Sequence, residues 1–507
     1  MDFLDPKKQK LHKIQLLVGY GLIAIALVIA TTILLYSAYG FGIDKNGKVI
    51  QNGLVFLSTR PSPANIYLNG TLSKSQTNTR VQLPAGQYQV KLQRDGYRTW
   101  QREVTVAGGD VQHFDYPFLF PVQLSTASIK QYATPPSLVS VSPDRHWAVV
   151  QDSGDVSQFD VFDLTKPKTA PVSITLPKNV LTATDQNESW QDMEWSNDNT
   201  HLLLQHLYQK SDKTLGEYVV LARDDPTQSF NLSKTINLAS SVKVELRNKA
   251  YDQYWLYDQA DNSLSTATLK SPTPTAYLNH VLNFKPYGND MVLYATDQAT
   301  TQGKVGIKLR QGDDTFALRE VAPSATPYLI DLAQYSGDWY VITGSPAENK
   351  VYIYKNPVAQ LQAEPKTPAA PFRVLRLNNP SYVSFSANTQ YIMAESATGF
   401  GVYDAFGGHQ YTYTIKSPMD APQVHAIWMD AARLTYVSDG KQLVFDYDGT
   451  NAQSLETGLP QYEPFFDRDY KYSFSFTTVQ VPASASKPAS TAYQLGSTPL
   501  QTAADQK

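Results

Sequence analysis

The sequence predicts an all-β protein that follows one N-terminal transmembrane helix. Residues 14–43 contain no charged side chain. Most of the remaining chain consists of short apolar runs separated by Gly, Pro, Asn and Asp, a pattern typical of strands and turns. Within it, a strand-turn-strand unit recurs roughly every 40 to 55 residues, which is the period expected of β-propeller blades.

The apolar run from Ile14 to Ala38 predicts a membrane-spanning helix. At about 1.5 Å per residue such a helix is long enough to cross a hydrocarbon core of about 30 Å. Four lysines precede the run: Lys7, Lys8, Lys10 and Lys13. Only Lys45 and Lys48 follow it closely, so the positive-inside rule predicts a cytoplasmic tail at 1–13, a transmembrane helix at 14–39 and an extracytoplasmic remainder.

A cleaved signal peptide is the alternative interpretation of the same segment. Signal peptides have apolar regions of about 7–15 residues and end at a small-x-small site. The apolar run here is longer, and its one Ala-x-Ala sequence, Ala24-Ile25-Ala26, lies in its middle. We therefore expect an uncleaved signal anchor.

Composition excludes several classes of function. The net charge is −3 and no basic stripe follows residue 13, so a nucleic-acid partner is not expected. The chain has no cysteine, which excludes disulfides, thiolate nucleophiles and cysteine-ligated metals. A chain of 507 residues is too long for one ordinary domain, so two or more folded units are expected. A large extracytoplasmic part without disulfides favours a bacterial cell-envelope protein.

After a linker at 40–51, residues 52–120 predict a small antiparallel β-sandwich. Apolar residues alternate with polar ones, as in Tyr88, Val90 and Leu92, and the turns contain sequences such as Asn69-Gly70. The largest apolar side chains of the segment are expected to fill its core, namely Tyr97, Trp100 and Phe114.

This segment resembles the PEGA domain family. The resemblance rests on three motifs, Pro61-Ser62-Pro63-Ala64-Asn65-Ile66-Tyr67-Leu68-Asn69-Gly70, Leu83-Pro84-Ala85-Gly86-Gln87-Tyr88-Gln89-Val90 and Gly96-Tyr97-Arg98-Thr99-Trp100. The eponymous Pro-Glu-Gly-Ala turn is altered here to Pro61-Ser62-Pro63-Ala64. The resemblance implies a non-catalytic envelope module that acts as a spacer or a binding unit.

Residues 121–480 predict a β-propeller of eight blades, or of seven. The clearest repeat units are Val141–Val150, Trp195–Leu204 and Phe385–Ala394. Weaker units begin near Val242, Val281, Leu329, Ala426 and Phe465. The last unit has room for two strands, and residues 119–133 are expected to complete it and close the ring. The Ser-Pro-Asp turn at 142–144 resembles TolB-like and WD40-like propeller repeats.

The last segment, 481–507, is rich in Pro, Ala, Ser, Thr and Gln. Such a composition buries little apolar surface, so we expect a disordered tail.

No motif for catalysis, cofactor binding or metal binding is present, so no catalytic, cofactor or metal residue is predicted. His201 and His206 should lie on opposite faces of a strand, and the segment 446–451 fits a hairpin turn better than a calcium loop. Pairs of aspartates are expected in turns, although a pair at the propeller mouth could serve acid–base chemistry. These pairs are Asp224-Asp225, Asp313-Asp314 and Asp467 with Asp469.

Two groups of aromatic residues, one at 251–257 and one at Tyr411 and Tyr413, are expected to pack between blades. The alternative is a stacking surface for sugars or peptides.

The leading hypothesis for function is a single-pass binding or scaffold protein of the bacterial envelope. Its expected partners are envelope proteins or cell-wall glycans, and its oligomeric state is left open. A propeller-type glycan hydrolase or lyase is the alternative. A sensor is a weaker hypothesis, because only 13 residues would face the cytoplasm.

Overall fold

The computed structural model describes residues 6–38, 40–43, 49–151, 154–182, 184, 186–363, 368–421, 423–483 and 488–506. The chain forms two compact units. Unit 1 contains Met1–Gln123 and Thr502–Lys507, and unit 2 contains Leu124–Gln501.

Unit 1 begins with the helix α1, Pro6–Ala38. Its stretch Gln9–Tyr36 is long and apolar enough to cross a membrane, with a mean hydropathy of 2.4 and no buried residue. These properties fit a single-pass anchor or a signal sequence. The helix begins before the predicted residue 14, because the basic segment in front of it is made of good helix formers. Residues 1–5 of the predicted tail lie outside the described residues.

Eight strands follow in unit 1: β1 (Phe41–Ile43), β2 (Val49–Leu57), β3 (Asn65–Leu68), β4 (Thr71–Gln76), β5 (Thr79–Pro84), β6 (Gly86–Gln93), β7 (Trp100–Val106) and β8 (Val111–Phe114). They form two four-stranded sheets, one of β1, β2, β5 and β8 and one in the order β4-β3-β6-β7. The pairing of β2 with β8 is parallel, so the prediction of a purely antiparallel sandwich is wrong at this edge. The predicted linker at 40–51 is also partly wrong, because β1 pairs with the start of β2.

The two sheets of unit 1 share one apolar core. Val55 and Leu57 of one sheet are fully buried, as are Val90 and Leu92 of the other. The three predicted core residues are confirmed in this cluster, with exposed fractions of 4% for Tyr97, 1% for Trp100 and 7% for Phe114.

Unit 2 begins with β9 (Ala127–Tyr132), and seven four-stranded sheets in chain order follow it. The first three sheets contain β10 (Val139–Val141), β11 (Trp147–Gln151), β12 (Gln158–Asp163) and β13 (Val172–Thr175); β14 (Gln186–Trp195), β15 (His201–Lys210), β16 (Lys213–Ala222) and β17 (Phe230–Asn231); and β18 (Val242–Leu246), β19 (Gln253–Asp258), β20 (Ser263–Thr268) and β21 (Thr275–Leu278). The next two contain β22 (Val281–Tyr287), β23 (Met291–Thr296), β24 (Val305–Gln311) and β25 (Asp314–Val321); and β26 (Leu329–Tyr335), β27 (Asp338–Ser345), β28 (Lys350–Lys355) and β29 (Arg373–Arg376).

The sixth and seventh sheets contain β30 (Tyr382–Phe385), β31 (Tyr391–Ser396), β32 (Gly399–Asp404) and β33 (Gln410–Thr414); and β34 (Ile427–Trp428), β35 (Arg433–Ser438), β36 (Lys441–Asp446) and β37 (Gln453–Thr457). The eighth sheet contains β38 (Phe465–Phe466), β39 (Tyr472–Val481) and β40 (Ser490–Pro499), with β9 as its fourth strand. Short helices lie between strands at α2 (Leu232–Thr235) and α3 (Pro357–Ala363), with 3-10 turns at Pro226–Gln228, Arg247–Lys249 and Pro346–Glu348.

The eighth sheet joins the two ends of unit 2. β9 pairs with β40, with Tyr132 opposite Tyr493, so the expected completion of the last sheet from residues 119–133 is confirmed. The predicted disordered tail at 481–507 is wrong over Ser490–Pro499, which pairs with β39 along its whole length. Its small polar residues gain a hydrogen-bonding neighbour on both sides, which their composition does not reveal. The predicted boundary at 480 is wrong for the same reason, since unit 2 continues to Gln501.

Neighbouring sheets of unit 2 pack face to face through apolar clusters. One cluster combines residues of the last sheet, including Phe474 and Phe476, with Ala148 and Val150 of the first. The sixth and seventh sheets meet where the ring of Phe400 lies 5.6 Å from that of Phe445. These contacts bury the faces that a single sheet would leave exposed to water.

The repeated turn has a local cause in a hydroxyl at the end of the first strand of a sheet. Ser142 donates to Asp144 and accepts from the backbone N–H of Trp147 at 3.0 Å. Ser386 makes the same two hydrogen bonds, to Asn388 at 2.9 Å and from Tyr391 at 3.0 Å. The side chain thus satisfies backbone groups that the turn removes from the sheet. The eight predicted repeat starts each lie at or next to the first strand of a different sheet.

Candidate functional site

A cavity of about 730 Å³ opens where the first strands of four sheets of unit 2 converge. Its walls come from β10, β14, β34 and β38 and from the loops that precede three of these strands. The polar side chains in its lining include Asp192, Glu463, His425, Gln191, Gln423 and Gln461.

Asp192 lies on β14 at an irregular point of the strand, where the register shifts between Asp192 and Glu194. The surrounding protein raises the pKa of Asp192 to about 6 by desolvation, against a hydrogen bond from Ser140 that lowers it, and the charge of Glu194 raises it as well. The side chain remains accessible to solvent because it faces the cavity. It can therefore exchange a proton near neutral pH.

Glu463 lies in the loop before β38 and faces the same cavity. Desolvation raises the pKa of Glu463, the charge of Asp192 raises it further, and His425 lowers it. The two carboxylates therefore interact electrostatically, and the charge of Asp192 disfavours the ionised form of Glu463.

His425 is held in the wall by Glu395, a buried residue of β31. Nδ1 of His425 lies 2.9 Å from Oε1 of Glu395, and the backbone N–H of Ala426 donates to Oε2 at 2.8 Å. The imidazole stacks on Tyr382 with 4.1 Å between ring centroids. Desolvation raises the pKa of Tyr382 to about 12, helped by nearby acidic groups that include Asp331. This part of the wall is thus fixed by its own contacts.

The aromatic rings of the lining are engaged in packing. Trp190 is 4% exposed and packs on Phe159. The indole N–H of Trp428 donates to Ser384 at 3.1 Å. Tyr462 packs at a tilt against Phe476 of β39 and donates its hydroxyl proton to the Pro136 carbonyl at 2.8 Å. The groups that remain free to meet a ligand are mainly carboxylates and primary amides.

The two histidines considered in the sequence both lie on β15 but have different surroundings. His201 stacks on Tyr251 at 3.7 Å between ring centroids. His206 is completely buried, with Nδ1 3.0 Å from Glu217 and Nε2 3.3 Å from Glu188. The two histidines therefore have separate partners. Among the described residues, no group of three or more His, Cys, Asp or Glu side chains is arranged to hold a metal ion.

The predicted hairpin turn at 446–451 is confirmed between β36 and β37. The N–H of Asp446 donates to the Thr450 carbonyl at 2.9 Å, and that of Gly449 to the Asp446 carbonyl at 2.8 Å. Two of the aspartate pairs also lie in turns, where Asp225 accepts from the N–H of Thr227 and Asp467 accepts from that of Tyr472. In the third pair, Asp313 lies in a turn and Asp314 begins β25.

The predicted packing of the aromatic residues at 251–257 is confirmed for three of them. Tyr254 and Trp255 are fully buried and Tyr257 is 8% exposed, in clusters between neighbouring sheets. Tyr413 likewise packs against Phe445 of the seventh sheet, with 6.3 Å between ring centroids.

Sequence reasoning missed Asp192, Glu463, Glu395 and His425 as a group. They come from four different segments, and no spacing along the chain connects them. The one signal that could have identified Asp192 is its place just before Trp195–Leu204, one of the three clearest repeat units.

Comparison with known protein families supports the fold of one segment in unit 1. The PEGA domain family matches residues 52–119. No curated protein matches the chain in sequence.

Among solved structures, Kluyveromyces lactis Hsv2p is 12% identical over 64% of this chain and 98% of its own, with a TM-score of 0.38. Porphyromonas gingivalis dipeptidyl peptidase 4 is 12% identical over 72% of this chain and 57% of its own, with a TM-score of 0.43. Both are β-propeller proteins, and at these TM-scores the likeness supports no argument about function.

Proposed function

We propose that this chain is a single-pass binding or scaffold protein of the bacterial cell envelope, with its N-terminus in the cytoplasm. The helix α1 serves as an uncleaved anchor, and the PEGA unit and unit 2 lie outside the membrane. The lysines before the apolar run and the length of that run support this orientation. The PEGA domain match at 52–119 also supports the location, since this resemblance implies an envelope module.

We further propose that the eight sheets of unit 2 are the blades of one propeller, closed between the last sheet and the first. The pairing of β40 with β9 supports this arrangement, as does the cluster that contains Phe474 and Ala148. A ring closed by strands from both ends of the unit needs no disulfide to hold its ends together.

The binding site in this proposal is the cavity that contains Asp192 and Glu463. The observation that carries it is the combination of a large cavity with two solvent-accessible carboxylates that have no ion-pair partner within the described residues. Concave sites with a few convergent polar groups are the usual place for ligands in folded proteins. An envelope protein or a wall glycan is the expected partner, while the acidic lining disfavours nucleic acid.

Two experiments test the proposal. In intact cells with any outer barrier opened, added protease should reach the C-terminal part of the chain, and a protected C-terminus would overturn the orientation. Crosslinking and pull-down of the membrane-bound protein should recover a partner. The Asp192→Asn/Glu463→Gln double variant should recover less of it, whereas Asp313→Asn, in a fully exposed turn, should recover the wild-type amount.

A glycan hydrolase or lyase is the second candidate, favoured by two carboxylates in one cavity. A carboxyl with a pKa of about 6, such as Asp192, suits a general acid near neutral pH. Incubation of the purified protein with wall polysaccharide tests this reading. If the protein forms a product and the Asp192→Asn variant does not, the result would support the enzyme hypothesis. If no envelope glycan yields a product, the enzyme hypothesis fails and the binding hypothesis remains.

A further inference from the structure

Residues 502–505 occupy a polar site on the PEGA unit, residues 52–119. The hydroxyl of Tyr97 donates to Oδ2 of Asp505 at 2.6 Å and accepts from the backbone N–H of Thr502 at 2.9 Å. The guanidinium of Arg94 forms an ion pair with Oδ1 of the same aspartate. The hydroxyl of Thr502 also donates to Asp505 at 3.0 Å, so the aspartate meets three donors.

Arg94 and Tyr97 are positioned by contacts that do not involve the tail. Tyr97 belongs to the core of the PEGA unit, and its backbone N–H donates to the Arg94 carbonyl at 3.1 Å. Arg94 donates to the Pro63 carbonyl at 2.7 Å, and its guanidinium lies 5.7 Å from the centroid of the Tyr97 ring. The donors are therefore preorganised for an acceptor group, which reduces the entropy cost of binding it.

The charge state of the aspartate agrees with this geometry. The hydrogen bond from Tyr97 lowers the pKa of Asp505, and Thr502 and Arg94 lower it further against the effect of burial. An ionised carboxylate forms the stronger, charge-assisted hydrogen bonds.

We propose that Arg94 and Tyr97 form a recognition site for an aspartate-bearing chain segment, and that the chain's own Thr502–Asp505 occupies this site as a clasp. Two residues, Leu500 and Gln501, separate the clasp from β40. The clasp therefore anchors the strand that pairs with β9 and limits fraying from its C-terminal end. In this role the PEGA unit holds residues 502–505 in addition to acting as a spacer.

Carboxypeptidase digestion of the full-length protein in detergent tests the clasp, with hydrogen exchange as a second readout. In the wild type, digestion should stop near residue 506, and peptides that cover β40 should exchange slowly. Asp505→Asn and Tyr97→Phe each remove a charge-assisted contact, so digestion into residues 500–505 and exchange at β40 should accelerate by about tenfold or more. Asp469→Asn, an exposed aspartate in a turn, should behave like the wild type.

The Tyr97→Phe variant keeps the ring in the core, so exchange at β6 reports whether the PEGA unit is still folded. Faster digestion with unchanged exchange at β6 supports the clasp. Wild-type digestion and exchange in both variants would overturn it, as would acceleration by Asp469→Asn to the same extent. A peptide of residues 500–507 added in trans should bind the Asp505→Asn protein saturably, and equal binding by a peptide with Asn at 505 would contradict recognition of the carboxylate.

Discussion

Oε1 of Glu395, in the sixth sheet of unit 2, lies 2.9 Å from Nδ1 of His425. His425 lies just before the first strand of the seventh sheet. The second oxygen of this buried carboxylate accepts from the N–H of Ala426 at 2.8 Å. One side chain thus fixes the segment that enters β34 and a wall of the cavity.

The first prediction concerns this link. Glu395→Ala leaves the N–H of Ala426 and the ring of His425 without their acceptor, and an unsatisfied buried group costs about 1–3 kcal/mol. We expect the free energy of unfolding to fall by about that amount in urea titrations. Glu395→Gln retains an acceptor oxygen and should lose less. Equal unfolding midpoints for Glu395→Ala and the wild type would contradict the role of the link.

The second prediction concerns pH and Glu245 of β18. Desolvation, together with the charge of Glu194, raises the pKa of Glu245 from 4.5 to about 7, although three lysines oppose the shift. Between about pH 4.5 and 7 the folded protein therefore holds a proton that the unfolded chain has released. The contribution of Glu245 to the free energy of unfolding is fully present below pH 4.5 and is lost as pH rises through 7.

Glu245→Gln should remove that loss. We expect the variant to be more stable than the wild type above pH 7, by an amount on the order of 1–3 kcal/mol, and to show a flatter slope between pH 4.5 and 7. Glu217 acts in a separate pH window. Desolvation raises its pKa, but hydrogen bonds from His206 and other donors lower it more, to about 2. The stability that Glu217 contributes is therefore lost as pH falls below 4.5. Parallel curves for the variant and the wild type between pH 4.5 and 8 would refute the assignment.

The third prediction concerns β40. A chain that ends at residue 483 lacks this strand and leaves β9 and β39 without a partner between them. We expect it to lose cooperative unfolding and to be digested by protease, whereas removal of Lys507 alone should have little effect. A disordered tail would make both deletions silent.

Leu495→Ala tests the same strand without deletion. Leu495 is fully buried in the cluster that joins the last sheet to the first, and loss of such a side chain costs about 2–5 kcal/mol. Val172→Ala, at a residue 65% exposed, is the matched control and should be close to neutral. Denaturant unfolding of both variants would measure the difference.

The fourth prediction compares two turn glycines with positive φ. Gly449 has φ +81°, and a Cβ there would lie 2.6 Å from Cδ2 of Tyr413, whose hydroxyl is held by the Tyr447 carbonyl. Gly440 has φ +66° and open space around it. Gly440→Ala should cost about 1 kcal/mol from backbone strain alone. Gly449→Ala should cost a further 1–3 kcal/mol, roughly, from the clash, and equal thermal shifts would contradict this packing.

Periodic features of the sequence predicted much of the fold. The starts of the eight sheets were found because each one begins with an apolar run that ends in a polar turn, such as Ser142 to Asp144. The PEGA segment was found from its motifs within two residues of the family match at 52–119. The cavity was not found, because Asp192 and Glu463 are 271 positions apart and become neighbours only through the packing of separate sheets.

By itself the sequence determined the membrane-length helix, the order of the two units and the repeated strand-turn-strand pattern, since hydropathy and turn chemistry act over a few neighbouring residues. Only the tertiary structure decided that Ser490–Pro499 is a strand, that Asp505 meets Arg94 and Tyr97, and that carboxylates face one cavity. A segment of small polar residues has no reason of its own to be ordered. It becomes a strand because its backbone groups form hydrogen bonds with β39 on one side and β9 on the other. The local sequence does not reveal these partners.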